Sequence, residues 1–227
     1  MDVVEKDIVR GVVSFFRALM LMFMMMFMLG VMITFLDILR SVFAKPTKPG
    51  KTWEFNSESE LDDFANQTKQ YASVYEGWLV FSPPSGENGI VSRYEEKVYK
   101  RVRVKLSVSV NTMEYNSTII AVYTDDASIY KYVSLIAVGG DVTKLRLYGG
   151  TSESYEDFTN PNAPMVLEVD FSRNKAKVFS DDLLLAEVDI VEQSTGGSVE
   201  SKITIVENNV SGAITDVSVD YVTIEYG

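Results

Sequence analysis

Residues Ala18 to Leu36 read ALMLMFMMMFMLGVMITFL, nineteen residues without a charge, and no other stretch constrains the fold of this chain so strongly. At about 1.5 Å per residue a helix of that length spans roughly 29 Å, close to the hydrocarbon thickness of a bilayer. In lipid every backbone N–H and C=O must be paired within the segment, so a single spanning stretch has to be helical. The expectation is one uncleaved transmembrane helix over 18–36 inside a longer N-terminal helix over 1–44. Val3, Val4, Ile8, Val12 and Phe15 recur near helical spacing ahead of it. Seven of the ten methionines lie in the run and read as lipid-compatible filler. Arg17 at one end, and Asp37 with Arg40 at the other, mark the interfaces.

Two processing alternatives stand beside the anchor. A signal peptide is cut behind small residues, which Val42-Phe43-Ala44 supplies, although beyond the charged Asp37 and Arg40. Arg10-Gly11 ahead of an apolar run resembles a pilin-like leader whose removal leaves a polymerising helix, although Arg17 interrupts that run.

Charge divides the chain at the same place. Residues 1–51 carry seven Lys/Arg against four Asp/Glu, while residues 52–227 carry 14 against 28. So acidic a C-terminal part excludes nucleic acid as partner, because phosphates demand clustered cations. Without cysteine or histidine, disulfides, thiolate chemistry, histidine bases and the usual zinc ligands are excluded. Catalysis would have to run on carboxylates, Tyr or Lys. The basic residues flanking the apolar run are balanced and do not orient it. Three glycosylation sequons, at Asn66, Asn116 and Asn209, place the C-terminal part outside the cell or on a virion surface. Residues 45–51, KPTKPGK, read as a linker, and 52–227 as the ectodomain.

That domain is written in strands. RVRVKLSVSV (101–110) alternates strictly, with Val102, Val104, Leu106, Val108 and Val110 on one side and Arg101, Arg103, Lys105, Ser107 and Ser109 on the other. Comparable runs occupy 77–81, 118–124, 130–138, 143–148, 165–171, 175–179, 183–190, 201–206 and 217–225. They are punctuated by Gly139-Gly140-Asp141, Gly149-Gly150, Ser172-Arg173-Asn174, Asp181-Asp182 and Gly196-Gly197. One helix is expected over 57–66, opened by a capping box of Ser57 and Glu60. Ten to thirteen short antiparallel strands predict a two-sheet sandwich.

TWEFNSESELDDF (52–64), GWLVFS (77–82) and GIVSRYEE (89–96) resemble the opening of laminin-G/concanavalin-like jelly rolls. IIAVYTDDASIYKYVSLI (119–136) is similar to their polar-turn hairpin, MVLEVDFSRNKAKVFSDDLLLAEVDI (165–190) to their late hairpin, and DVSVDYVTIEY (216–226) to their closing strand. The resemblance implies an all-β, concanavalin A-like jelly roll of two antiparallel sheets behind the transmembrane helix. It leaves function open, since the superfold hosts many activities.

Three sets of residues could carry chemistry. EVDIVE (187–192) resembles the carboxylate signature of the laminarinase/lichenase hydrolases, which implies Glu187 as nucleophile, Asp189 as its tuner and Glu192 as acid/base. Glu187 and Asp189 share a sheet face by period 2, but Glu192 joins them only through a bulge. The resemblance also implies a structural calcium ligand at Asp220, with Asn56 or Glu54 supplying further hard oxygens. Tyr94, Tyr123, Tyr130, Tyr132, Tyr148 and Tyr155 are numerous enough to form a sugar platform, and nothing in the sequence selects a cluster among them.

The resulting expectation is a single-pass membrane protein displaying a non-catalytic, lectin-like recognition or adhesion domain for a glycan or surface protein. A self-assembling structural protein of an envelope, array or filament is the alternative, and a glycoside hydrolase using EVDIVE the second.

Overall fold

The computed structural model describes residues 15–16, 19–26, 28, 48–126, 129–194 and 200–227. Two compact units divide the chain, Met1–Pro46 and Thr47–Gly227. In the first, the described residues are helical and expose Phe15, Phe16, Met20, Phe23 and Met25. Among the described residues no helix is long and apolar enough to cross a membrane. Residues 18, 27 and 29–36 of the expected span lie outside the described residues, as do both candidate cleavage sites.

The second unit begins with β1 (Lys48–Trp53), α1 (Glu58–Phe64), β2 (Thr68–Gln70), β3 (Ala72–Tyr75), β4 (Trp78–Phe81) and β5 (Glu87–Glu95). There follow β6 (Tyr99–Met113), β7 (Ser117–Asp125), β8 (Ile129–Ala137), β9 (Lys144–Tyr148) and β10 (Tyr155–Thr159). The chain closes with β11 (Met165–Asp170), β12 (Lys175–Ser180), β13 (Leu183–Asp189), β14 (Gln193–Ser194), β15 (Glu200–Val210) and β16 (Ala213–Tyr226). β1 thus starts inside the stretch that reads as a linker, and its Lys51 and Thr52 pair with Ile224 and Thr223.

All pairings are antiparallel and sort into two layers. One runs β10-β9-β8-β7-β15-β5-β2, with β14 on the end of β8. The other runs β13-β12-β11-β6-β16, with β1 and β4 on the far edge of β16. Among the described residues the two layers are joined in strand register where β15 turns into β16, at Asn209↔Ile214 and Val210↔Ala213. Gly212, at φ 81°, takes the left-handed step of that hairpin.

The alternation in β6 does what its pattern dictates. Val102, Val104 and Leu106 are fully buried between the layers, while Arg101, Arg103 and Lys105 line the outer face. Ile120 and Val122 of β7, Val133 and Leu135 of β8, and Ile203 and Ile205 of β15 meet them from the other layer in one continuous core. Each such side chain contributes about 1.5–3 kcal/mol through burial. The β12–β13 turn is tight because Asp181 and Asp182 both adopt positive φ, 46° and 64°, as a type I′ hairpin requires.

α1 seals the β1 edge by burying Leu61 and Phe64, with Phe64 edge-on to Trp53 and Phe55. Its N-cap is Ser57, but the expected capping box is not made. The Ser57 hydroxyl pairs with that of Ser59, and Glu60 reaches back to accept from the Asn56 N–H at 2.8 Å.

Candidate active site

Strand register gathers the tyrosines. Lys202 of β15 stands opposite Tyr94 of β5 on one side and Tyr123 of β7 on the other. Tyr123 in turn faces Tyr132 of β8, and Tyr130 lies two residues before it on the same side. Ser134 of β8 pairs with Tyr148 of β9, which pairs with Tyr155 of β10. Because alternate residues share a face, all six tyrosines stand on the outer face of one sheet. Their rings touch, Tyr123 with Tyr130 at 5.8 Å and Tyr132 with Tyr148 at 6.1 Å. The floor between them is small and polar: Thr204, Ala121 and Ser134 follow one another across β15, β7 and β8. Arg146, clamped by two bonds to Asp157 at 2.5 and 2.8 Å, lies over the Tyr155 ring.

This face carries a carboxylate pair. Glu200 of β15 is the register partner of Asp125 of β7, and Asp125 is that of Tyr130. Directly opposed residues place their Cβ atoms about 4.5–5.5 Å apart, so both carboxyl groups project from neighbouring points on this face. Tyr94 bonds to Glu200, and both burial and that carboxylate hold its hydroxyl above the usual tyrosine range. Tyr123 is raised by burial and by Glu200, and Tyr130 by burial, by Tyr132 and Tyr123 and by Asp125.

Behind the pair, on the core side, Thr124 and Ser201 hydrogen-bond to each other at 2.8 Å. Both hydroxyls also accept from the Tyr99 N–H, at 3.0 and 3.2 Å. A three-way tie therefore fixes the ends of β7 and β15 where Asp125 and Glu200 project. Asp125 reads from the sequence as a turn residue, and Glu200 stands out in no motif. The usable signal is the two-residue spacing of each from a face residue, Asp125 from Tyr123 and Glu200 from Lys202.

EVDIVE lies on other surfaces. Glu187 projects from the outer face of the second sheet into a groove of about 800 Å³ that also holds Arg101, Arg103, Glu168, Asp170 and Lys177. Its charges alternate across the strands as Arg103–Glu168–Lys177–Glu187 and as Glu225–Arg101–Asp170–Lys175–Asp189. Lys177 at 2.9 Å and Lys175 at 3.2 Å hold the Glu187 carboxyl below its ordinary range. Asp189 shares Lys175 at 2.8 Å. Glu192 lies beyond the end of β13, bound to Lys131 and Asn174 at 2.9 Å each, and both lower its pKa. The structure thus brings Glu187 and Asp189 together and gives Glu192 separate partners. A general acid must keep its proton near neutrality, whereas Glu192, the acid/base of that expectation, is shifted the other way.

Asp220 is paired with Lys105 at 2.6 Å, while Asn56 bonds to Glu54 and Glu60. Among the described residues no group of three or more aspartates and glutamates could hold a metal ion. The sequon asparagines serve the fold. Asn66 donates to the Tyr94 carbonyl at 2.6 Å and accepts from its N–H at 2.8 Å. Asn209 donates to the Pro83 carbonyl, and Asn116 accepts from the Gly139 N–H. At Asn66 and Asn209 the amide nitrogen that would carry a glycan is already donating.

No family model matches the chain, and no curated protein does. Solved structures match it in fold. Crh5 transglycosylase in complex with NAG is 13% identical, over 79% of this chain and 88% of its own, with a TM-score of 0.53. The kappa-carrageenase from Pseudoalteromonas carrageenovora, in complex with an oligotetrasaccharide of kappa-carrageenan, is 12% identical over 81% and 97%, with a TM-score of 0.50. The fold is a concanavalin A-like jelly roll, of the class found in glycoside hydrolases. These neighbours correct the expectation of a non-catalytic recognition or coat domain and of no enzyme. They are a transglycosylase and a carrageenase, and they back the hydrolase alternative.

Proposed function

We propose that residues 48–227 form a glycan-cleaving or glycan-transferring domain, with substrate across the tyrosine face and Asp125 and Glu200 as its carboxylates. The observation that carries this reading is their direct register, on the one face where six tyrosines offer apolar platforms for sugar rings. Glu200, oriented by Tyr94, attacks the anomeric carbon while Asp125 gives its proton to the departing glycosidic oxygen. The resulting glycosyl ester is then opened by water, or by a sugar hydroxyl, whose proton returns to Asp125. The test is release of reducing ends from a panel of polysaccharides by the wild-type chain and by Glu200→Gln. Release lost in the variant supports the reading, and equal release by both sinks it.

We further propose that residues 18–36 anchor the chain in a membrane with the sandwich outside the cell, on the strength of the uncharged run and its flanking charges. Resistance of the chain to extraction by alkaline carbonate tests the anchor, and protection of the sandwich from protease added outside intact cells would contradict the orientation.

A further inference from the structure

The cations on the outer sheet faces are, with one exception, spoken for. Arg101, Arg103, Lys105, Lys175 and Lys177 on one face, and Lys144 and Arg146 on the other, each hold a carboxylate. Lys202 holds none among the described residues. It projects from β15 into the middle of the tyrosine face, with Tyr94 and Tyr123 as its register neighbours on either side. In a domain with twice as many acids as bases, a cation left unpaired between two aromatic rings is a costly use of charge. The row of small side chains beside it, Thr204, Ala121 and Ser134, carries no anion for it to hold.

Resting on the proposed glycan-acting site, we infer that Lys202 makes this face selective for polysaccharides bearing an anionic substituent, a carboxylate or a sulfate ester. A sugar ring lies on Tyr123 or Tyr94 and its anionic group meets the ammonium. Glu200 is two residues along the same strand face, about 6.6 Å away by strand rise. The charged substituent therefore sits on the sugar next to the scissile bond. A neutral glycan could use the tyrosines but would leave Lys202 desolvated without a partner, which sets the direction of selectivity.

The experiment is calorimetric binding by the full chain in detergent, at low and high salt. The probes are polygalacturonate for the carboxylate, a sulfated galactan for the sulfate ester, and a neutral β-1,3-glucan. Wild type should bind one of the anionic polymers at least about tenfold more tightly than the neutral one, as suits one charge-assisted hydrogen bond. Lys202→Gln should abolish that preference, weakening the anionic complex and not the neutral one. Lys202→Arg should retain it, and salt should weaken only the anionic complex. Equal binding of all three polymers, no binding of any, or a preference that survives in Lys202→Gln overturns the inference. These readouts do not depend on turnover, so loss of the hydrolytic reading through Glu200→Gln remains distinguishable.

Discussion

Glu200 of β15 and Asp125 of β7 stand directly opposite each other in antiparallel register, flanked on the same face by Tyr94, Tyr123 and Tyr130. With Glu200 as nucleophile and Asp125 as acid and then base, hydrolysis is a double displacement and should proceed with net retention. Proton NMR of the first-formed product checks this, and inversion would contradict the role given to Glu200.

The aromatic platform should act in binding. Tyr123→Ala removes a ring that contacts Tyr130 and faces Tyr132, and should weaken polysaccharide binding about tenfold with little loss of stability. Titration calorimetry measures the first, and thermal unfolding the second.

The charge ladder should be dispensable for turnover. Lys175 binds Glu187 and Asp189 from a solvent-exposed position, where ion pairs add little to stability. Lys175→Met should therefore leave the denaturant midpoint nearly unchanged. Glu187→Gln should leave turnover within about twofold of wild type, since only an interaction formed in the transition state changes the rate.

A buried acid near the layer junction sets a pH dependence. Glu207 is 7% exposed and bonds to the Val217 N–H at 2.8 Å. Burial, with Asp216 adding to it, pushes its pKa from 4.5 up to about 7. The folded state holds this proton more tightly than the unfolded chain does. Its cost is absent below about pH 4.5, grows as pH rises, and levels off above about 7 at no more than roughly 3 kcal/mol. Glu207→Gln should accordingly be more stable than wild type at pH 8 and equal to it at pH 4, by thermal unfolding at both.

Asn66 should matter as a clamp. Its two bonds to the Tyr94 backbone hold the end of β5, and Asn66→Ala should cost about 1–3 kcal/mol of stability.

Much of the fold is legible because it is local. Alternation in 101–110 names both faces of β6, and Asp181-Asp182 marks the β12–β13 hairpin before any coordinate is known. β1 is missed because Lys48 to Lys51 have linker composition and become a strand only by pairing with β16. The carboxylate pair proposed for the site is hidden from the sequence for a related reason. That Asp125 meets Glu200, 75 positions away, is a property of β7 and β15 being neighbours, and no spacing within either strand states it. EVDIVE draws notice because its acids are close in sequence, yet Glu187 faces a lysine ladder and Glu192 leaves the strand altogether.

The most direct test of the site is to trap its intermediate. The full chain is treated with a 2-deoxy-2-fluoro glycoside of whichever sugar its substrate contains, and the labelled peptide is identified by mass spectrometry. The label is predicted on Glu200, with none when Glu200 is replaced by Gln. Label on Glu187 or Glu192 would contradict the assignment and return the chemistry to the other sheet.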